Sequence, residues 1–303
     1  MAAEPQAAAA ADKPASSPAP SPSPSPSPKR KRVTSTKSLE SVWGLRKPLP
    51  RSWRLLFSAI LPVVVMATWI ALTAGEPPAI NASFLSSPVK VLQAFLASIF
   101  DNTLFPSIWA STARIGLSFL LAAVIALPLG ILMGAWEPIN RLFEPIMAPL
   151  RYLPISAFIP LLILWFGIGE AQKIAFLFLG VFVYLLPVVV TAIRAVPDEL
   201  VQTALTLGAS KAQAVRTVLV PAALPEIFDS FRVMNAISWT YVILAEAVNP
   251  EHGLGYMVEL ARTHQKASWS FAGLLVIGGI GLLTDFLIRS VSRLLFPWRE
   301  VTA

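Results

Sequence analysis

"PDELVQTALTLGASKAQAVRTVLVPAALPEI", residues 197–227, is a polar interruption in a chain of 303 residues of which 55% are hydrophobic. Asp198 and Glu199 fall where the first turn of a helix favours negative charge, at the positive end of its dipole. Leu200, Ala204 and Leu207 recur at helical spacing and share one apolar face. Gly208 then supplies a stop, because glycine takes the left-handed backbone without strain. Ser210 followed by Gln213 reads as a capping box that starts a second short helix, with Val215, Val218 and Leu219 as its apolar side. Pro221 and Pro225 keep that helix from running smoothly into the apolar run beyond. The stretch predicts a compact helix-turn-helix elbow. Two uses fit it: a knob that docks into a partner, and an amphipathic hairpin lying on a lipid surface.

On both sides of the elbow the chain is oily. Only 14% of residues are charged, against roughly a quarter in soluble domains. Apolar runs of about 18 residues or more recur, each long enough to cross a bilayer core, and a backbone in lipid must satisfy its own hydrogen bonds. The expectation is an all-α integral membrane protein with six transmembrane helices: 55–74, 108–136, 145–166, 173–193, 222–248 and 271–296. Residues 86–100 are too short to span and predict an amphipathic helix on the far side. Lys and Arg near the span ends place both termini in the cytoplasm, with the elbow between the fourth and fifth spans on the same side.

The net charge of +7 is concentrated before the first span. Residues 1–40 are Ser/Pro-rich and have nothing apolar to bury, so they predict a disordered tail. The "KRKR" at 29–32 and the basic segment 41–54 fit attraction to anionic lipid better than nucleic-acid binding. No apolar core follows a short basic start, which excludes a signal peptide of ordinary form. With no cysteine in the chain, thiol catalysis and cysteine metal sites are excluded. His252 and His264, twelve apart in an outer loop, make a weak case for a metal, and none is expected. "GGIG" at 278–281 predicts close helix packing rather than a phosphate cradle. No internal repeat is evident.

Charges inside the spans are costly and face the protein interior or a water-filled path. They are Arg114, Arg151, Glu226, Asp229, Arg232, Glu246 and Asp285. Asp229 and Arg232 stand three apart on one helix and can pair. Arg151 has no sequence-local partner, and its guanidinium fork suits an oxyanion. Arg151 and Arg232, with Asp229, Glu246 and Trp239 on the neighbouring face, are the candidate substrate-pathway residues, Trp239 as a packing residue first.

At the elbow the sequence resembles the permease subunits of binding-protein-dependent ABC importers. Their cytoplasmic motif reads Glu-Ala-Ala, three residues, Gly, nine residues, then Ile-x-Leu-Pro. Here it runs Gln202, Thr203, Ala204, then Gly208, then Val218, Leu219, Val220 and Pro221. The acidic residue has become Gln202, and the Ile and Leu have become Val. "ISAFIPLLILWFGIG" (155–169), "SFRVMNAISWTYVILAEAV" (230–248) and "HGLGYMV" (252–258) are similar to the nitrate, sulfonate and taurine branch. The likeness extends over 55–298, the permease domain.

The resemblance implies the type I importer permease fold and a role as the translocation pathway for a small anion. It implies a second permease copy, two ATPase subunits and a periplasmic binding protein as partners in a bacterial inner membrane. Gln202, Thr203, Ala204, Gly208, Ala209, Ser210 and Pro221 would be the ATPase-coupling residues. The chain has no GxxxxGK[ST] loop, so ATP and Mg belong on the partner subunits and no enzyme activity is expected here. Two other readings stay open on the residues alone: a self-sufficient six-helix channel or secondary transporter, and a membrane scaffold that does not transport.

Overall fold

The computed structural model describes residues 51–75, 80–81, 83–248 and 252–298. The Ser/Pro-rich tail and the "KRKR" run lie outside them. All regular structure among the described residues is helical. The chain divides into two units, 1–60 and 61–303. In the first, the structure describes the opening turns of α1 (Arg51–Thr73), where Trp53 stacks on Phe57 at 5.8 Å. The second holds the remaining helices: α2 (Pro88–Phe100), α3 (Leu104–Ala135), α4 (Glu137–Leu150), α5 (Ile159–Phe166), α6 (Glu170–Arg194), α7 (Asp198–Thr206), α8 (Lys211–Ala214), α9 (Val220–Ala247), α10 (Leu254–Thr263) and α11 (Ala267–Leu295).

Four of these, α1, α3, α6 and α11, are long and apolar enough to cross a membrane. The third expected span is not one helix. α4 and α5 meet at a bend of 93°, and counting the pair as a single span gives five. Pro154 stands in the break and biases the residue before it away from helical geometry, and Pro160 suits the first turn of α5; Pro145 and Pro149 lie inside α4, which continues through them. α9 has the length, 28 residues, but Arg232, Asn235 and Glu246 dilute its apolar character.

α6 forms the centre of the second unit. Phe176, Leu177, Val181, Leu185, Leu186 and Val189 are all essentially inaccessible. α3 packs along it in parallel, as the register of Gly130 and Gly134 shows. A Cβ on Gly130 would stand 2.7 Å from Val189, and one on Gly134 would stand 2.6 Å from Ile193. Small residues let the backbones approach, and dispersion at close range is what holds apolar helices together in lipid. Two serines of α3 satisfy their hydroxyls locally, Ser107 donating to the Thr103 carbonyl at 2.8 Å and Ser118 to the Ile115 carbonyl at 3.0 Å. Outward faces are apolar, with Leu120, Leu121, Val124, Leu282, Leu283 and Phe286 exposed. That inside-out distribution is the membrane pattern read from composition. α2 packs against α11, burying Val91 and Ala94 with Ala272.

The elbow is built as its residues dictate. α7 ends in a Schellman arrangement, the Ala209 N–H reaching the Ala204 carbonyl at 3.0 Å and the Gly208 N–H reaching Leu205 at 3.0 Å. Gly208 has φ +90°. Both halves of the Ser210–Gln213 capping box form, at 2.8 and 3.3 Å. The passage into the next helix is not smooth, although no gap opens at Pro221 or Pro225. A π-helical stretch, Val215–Leu219, joins α8 to α9 without a gap. Pro221 sits in the first turn of α9, where its missing N–H and its ring would disturb an α-register. The wider turn carries the Val220 N–H to the Val215 carbonyl instead.

Candidate functional site

Arg114, on the inner face of α3, is enclosed and uses its whole fork. Its Nε and Nη2 each donate to a Glu170 carboxylate oxygen at 2.6 Å, a bidentate pair between α3 and α6. Its Nη1 donates to Glu246 Oε1 at 2.6 Å and to the His252 carbonyl at 2.7 Å. Glu246 is fully buried and also accepts from the Ser111 hydroxyl at 2.7 Å and the Gly255 N–H at 2.8 Å. Ser111 in turn accepts the Leu254 N–H at 2.9 Å. Lys173 Nζ, also buried, lies 3.6 Å from Glu170 Oε1. The two cations and two carboxylates sum to zero, which a buried cluster needs to avoid an uncompensated charge.

The cluster fastens α10 to α3, α6 and α9 through the loop at Gly253. Gly253 has φ +137°, and a Cβ there would lie 2.2 Å from Glu246 Oε2. One member is asymmetric in exposure: the Glu170 side chain is 54% accessible, against 7% for Arg114 and 0% for Glu246. Sequence reading placed Arg114 and Glu246 among the intramembrane charges but missed their partnership and missed Glu170, Lys173 and Ser111. The signal was present in "HGLG", two glycines beside a buried acid, and in Glu170 and Lys173 sharing the first turn of a span.

A second polar seam joins α9 to α11. Arg232 makes a bidentate bridge to Asp285, Nε to Oδ1 at 2.7 Å and Nη2 to Oδ2 at 3.2 Å, and Arg289 reaches Oδ2 at 3.1 Å. Arg232 thus bridges helices as well as standing near Asp229, whose charge acts on it. Asn235 Nδ2 and Trp239 Nε1 both donate to Thr284 Oγ1, at 2.9 and 3.2 Å. Trp239 is buried and rests 3.6 Å from where a Cβ on Gly281 would be. Of the "GGIG" glycines only Gly281 serves close packing; Gly278 and Gly279 face open space. Arg151 is exposed at the bend after α4 and makes no ion pair among the described residues.

His252 and His264 border a cavity of about 580 Å³ with Asp101, Tyr256, Lys266 and Trp269. No three metal-ligating side chains converge among the described residues. On α10, Arg262 Nε donates to Glu259 at 2.8 Å and holds that carboxyl below its ordinary range. At the elbow, Gln202, Thr203, Gly208, Ser210 and Pro221 are exposed, and Ala204 and Ala209 are half-buried. Leu200 and Leu207 of the apolar face are 48% and 84% exposed.

A helix bundle with an apolar exterior, charges gathered inside and a capped polar elbow is the architecture of a membrane permease. The family model described as "binding-protein-dependent transport system inner membrane component" matches residues 126–299. The taurine transport system permease protein TauC of Escherichia coli (strain K12) is 32% identical over 258 residues, 84% of this chain and 92% of its own. The putative aliphatic sulfonates transport permease protein SsuC of Bacillus subtilis (strain 168) is 33% identical over 255 residues, again 84% and 92%. Among solved structures, the inward-facing MetNI methionine ABC transporter aligns with a TM-score of 0.58 at 22% identity. It covers 64% of this chain and 96% of that one, a likeness of fold. The chain belongs to the permease subunits of binding-protein-dependent ABC importers and is a multi-pass membrane protein with the type I importer fold.

Proposed function

We propose that this chain is the pathway subunit of an ATP-driven importer for a small oxyanion such as a sulfonate or nitrate. A periplasmic binding protein delivers the anion on one side, and two ATPase subunits dock on the other. The chain works as a pair with a second copy, with its termini and elbow in the cytoplasm. The observation that carries the coupling role is the elbow: two short helices fixed by a Schellman stop and a capping box, with Leu200 and Leu207 left uncovered. A rigid element with an exposed apolar side fits a groove on a partner and transmits displacement. Gln202, Thr203, Ala204, Gly208, Ala209, Ser210 and Pro221 form that contact. The relatives named for taurine and aliphatic sulfonates favour an anionic cargo. Arg151, exposed at the bend and without an ion pair among the described residues, is the pathway residue this reading favours. Arg232 with Asp229 follows, and Trp239 and Glu246 act from behind as supports.

The test is reconstitution of the permease with its ATPase and binding protein in proteoliposomes. Uptake of labelled taurine or nitrate that depends on ATP and on the binding protein is the expected result. ATP-independent uptake by the permease alone would instead favour a self-sufficient transporter.

A further inference from the structure

Arg114 is buried, yet the carboxylate that occupies two of its donors is not. Glu170 is half in the open, while the other acid of the cluster, Glu246, is sealed and held by Ser111 and the Gly255 N–H as well. Removing the Glu170 carboxylate would take a negative charge from the cluster and leave the Nε and Nη2 donors of Arg114 without it. The vacated position has two N–H groups of one guanidinium fork, both now 2.6 Å from carboxylate oxygens, and an ammonium 3.6 Å away. That donor set fits a small monovalent oxyanion presenting two oxygens, since sulfonate, nitrate and carboxylate share the edge geometry that Arg binds bidentately.

We infer that the Glu170 side chain is a displaceable internal anion, occupying an oxyanion subsite made by Arg114 and Lys173 that the transported anion takes over in passage. Displacement moves no net charge into the cluster: one monovalent anion enters as another swings out of it. Glu170 needs only a rotamer change, because its side chain already borders open space. The sealed pair with Glu246 stays intact and keeps Arg114 in place. The fork is thereby aimed at the vacated position before the ligand arrives. The inference rests on the proposed anion-import function and names the group that would handle the anion.

The experiment measures equilibrium anion binding by the permease–ATPase complex in nanodiscs, apart from transport. Sodium nitrate and sodium methanesulfonate are titrated separately at fixed ionic strength, so that planar and tetrahedral oxyanions are distinguished. Glu170→Gln removes the competing charge and should tighten binding of at least one of them tenfold or more; Glu170→Asp, which keeps the charge, should not. The chain has no native cysteine, so Glu170→Cys offers a second readout in an otherwise unmodified protein. A sulfonate-bearing methanethiosulfonate should label that thiol faster than the trimethylammonium reagent, and nitrate or methanesulfonate should slow it. Equal affinity in the parent and in assembled Glu170→Gln, or faster labelling by the cationic reagent, overturns the inference. If the parent imports the anion normally while Glu170→Gln binds it no better, the importer reading stands and the subsite falls. If Glu170→Gln binds oxyanions but the parent imports none, the subsite stands and the cargo reading falls.

Discussion

Gly253→Ala tests whether the buried cluster holds the second unit together. The added Cβ would stand 2.2 Å from Glu246 Oε2, 2.4 Å from Cδ and 2.6 Å from Oε1. Ordinary contact requires the carboxylate to retreat by about 1 Å or more. A terminal carboxylate usually swings aside at little cost, but this one is fully enclosed and held at 2.6 Å by Arg114 and 2.8 Å by the Gly255 N–H. Both bonds cannot survive the shift. Breaking a buried ion pair costs about 3–5 kcal/mol, and the backbone at φ +137° adds strain of its own. For a domain of this size about 1 kcal/mol corresponds to 2–4 °C, so the thermal midpoint should fall by about 10 °C. The assay is thermal unfolding of the purified complex in mild detergent. Gly208→Ala is the control: its φ is +90°, but no atom lies within 4 Å of the added Cβ, so only about 1 kcal/mol of backbone strain is expected. Shortening the acid with Glu246→Asp should recover part of the loss in the Gly253→Ala background, a coupling that a double-mutant cycle reads directly. If Gly253→Ala melts within two degrees of the parent, the carboxylate is not fixed as argued.

Gly208→Val should insert at normal levels but lose substrate-stimulated ATP hydrolysis, because a β-branched residue at φ +90° misdirects the second elbow helix; unchanged stimulation in proteoliposomes would remove the elbow from the coupling path. Asp285→Asn leaves Arg232 and Arg289 without their carboxylate in a half-exposed seam, so a loss of about 1 kcal/mol and a small drop in thermal midpoint are expected. Deleting residues 2–28 should leave uptake in cells intact, since that Ser/Pro-rich segment has no apolar side chain beyond alanine and proline to pack; abolished uptake would give the tail a role in transport.

The elements legible in the sequence were those written by local chemistry. Gly208, Ser210 and Gln213 act on neighbours within four residues, so the turn and the capping box could be read directly. Long apolar runs gave α1, α3, α6 and α11 for the same reason. Proline was harder to read, because its effect depends on context. Pro154 stands in the break of an expected span while Pro145 and Pro149 are carried inside α4, and at Pro221 the irregularity takes the form of a π turn rather than a gap. Pairings between distant residues were not legible at all. Arg232 had a plausible partner three residues away, yet its bridge runs to Asp285. Arg114, Glu170 and Glu246 are separated by more than fifty residues at each step, and only the parallel packing of α3 on α6 brings the first two together.

The charge cluster and the elbow are the two ends of one pair of helices. Glu170 and Lys173 stand in the first turn of α6, and α7 begins at Asp198, just beyond its last residue, Arg194. α9 leaves the elbow through the π stretch and carries Glu246 one residue before its end. At 1.5 Å per residue these helices are about 38 and 42 Å long, and they pack on each other where Phe176 meets the edge of Tyr241 at 5.9 Å. Two packed rods bend little over that length, so a shift at the elbow has two routes of relief: the π stretch, or movement at the cluster. The hydrogen bonds at Glu246 and Arg114 make the cluster end stiff, which leaves the π stretch as the softer joint. Loosening the cluster should reverse that order. Gly253→Ala, studied at a temperature where the complex is still folded, is therefore expected to weaken the stimulation of ATP hydrolysis by loaded binding protein while leaving the basal rate unchanged. Full stimulation in that variant would mean that the elbow and the cluster move independently, and that the α6–α9 pair does not link them.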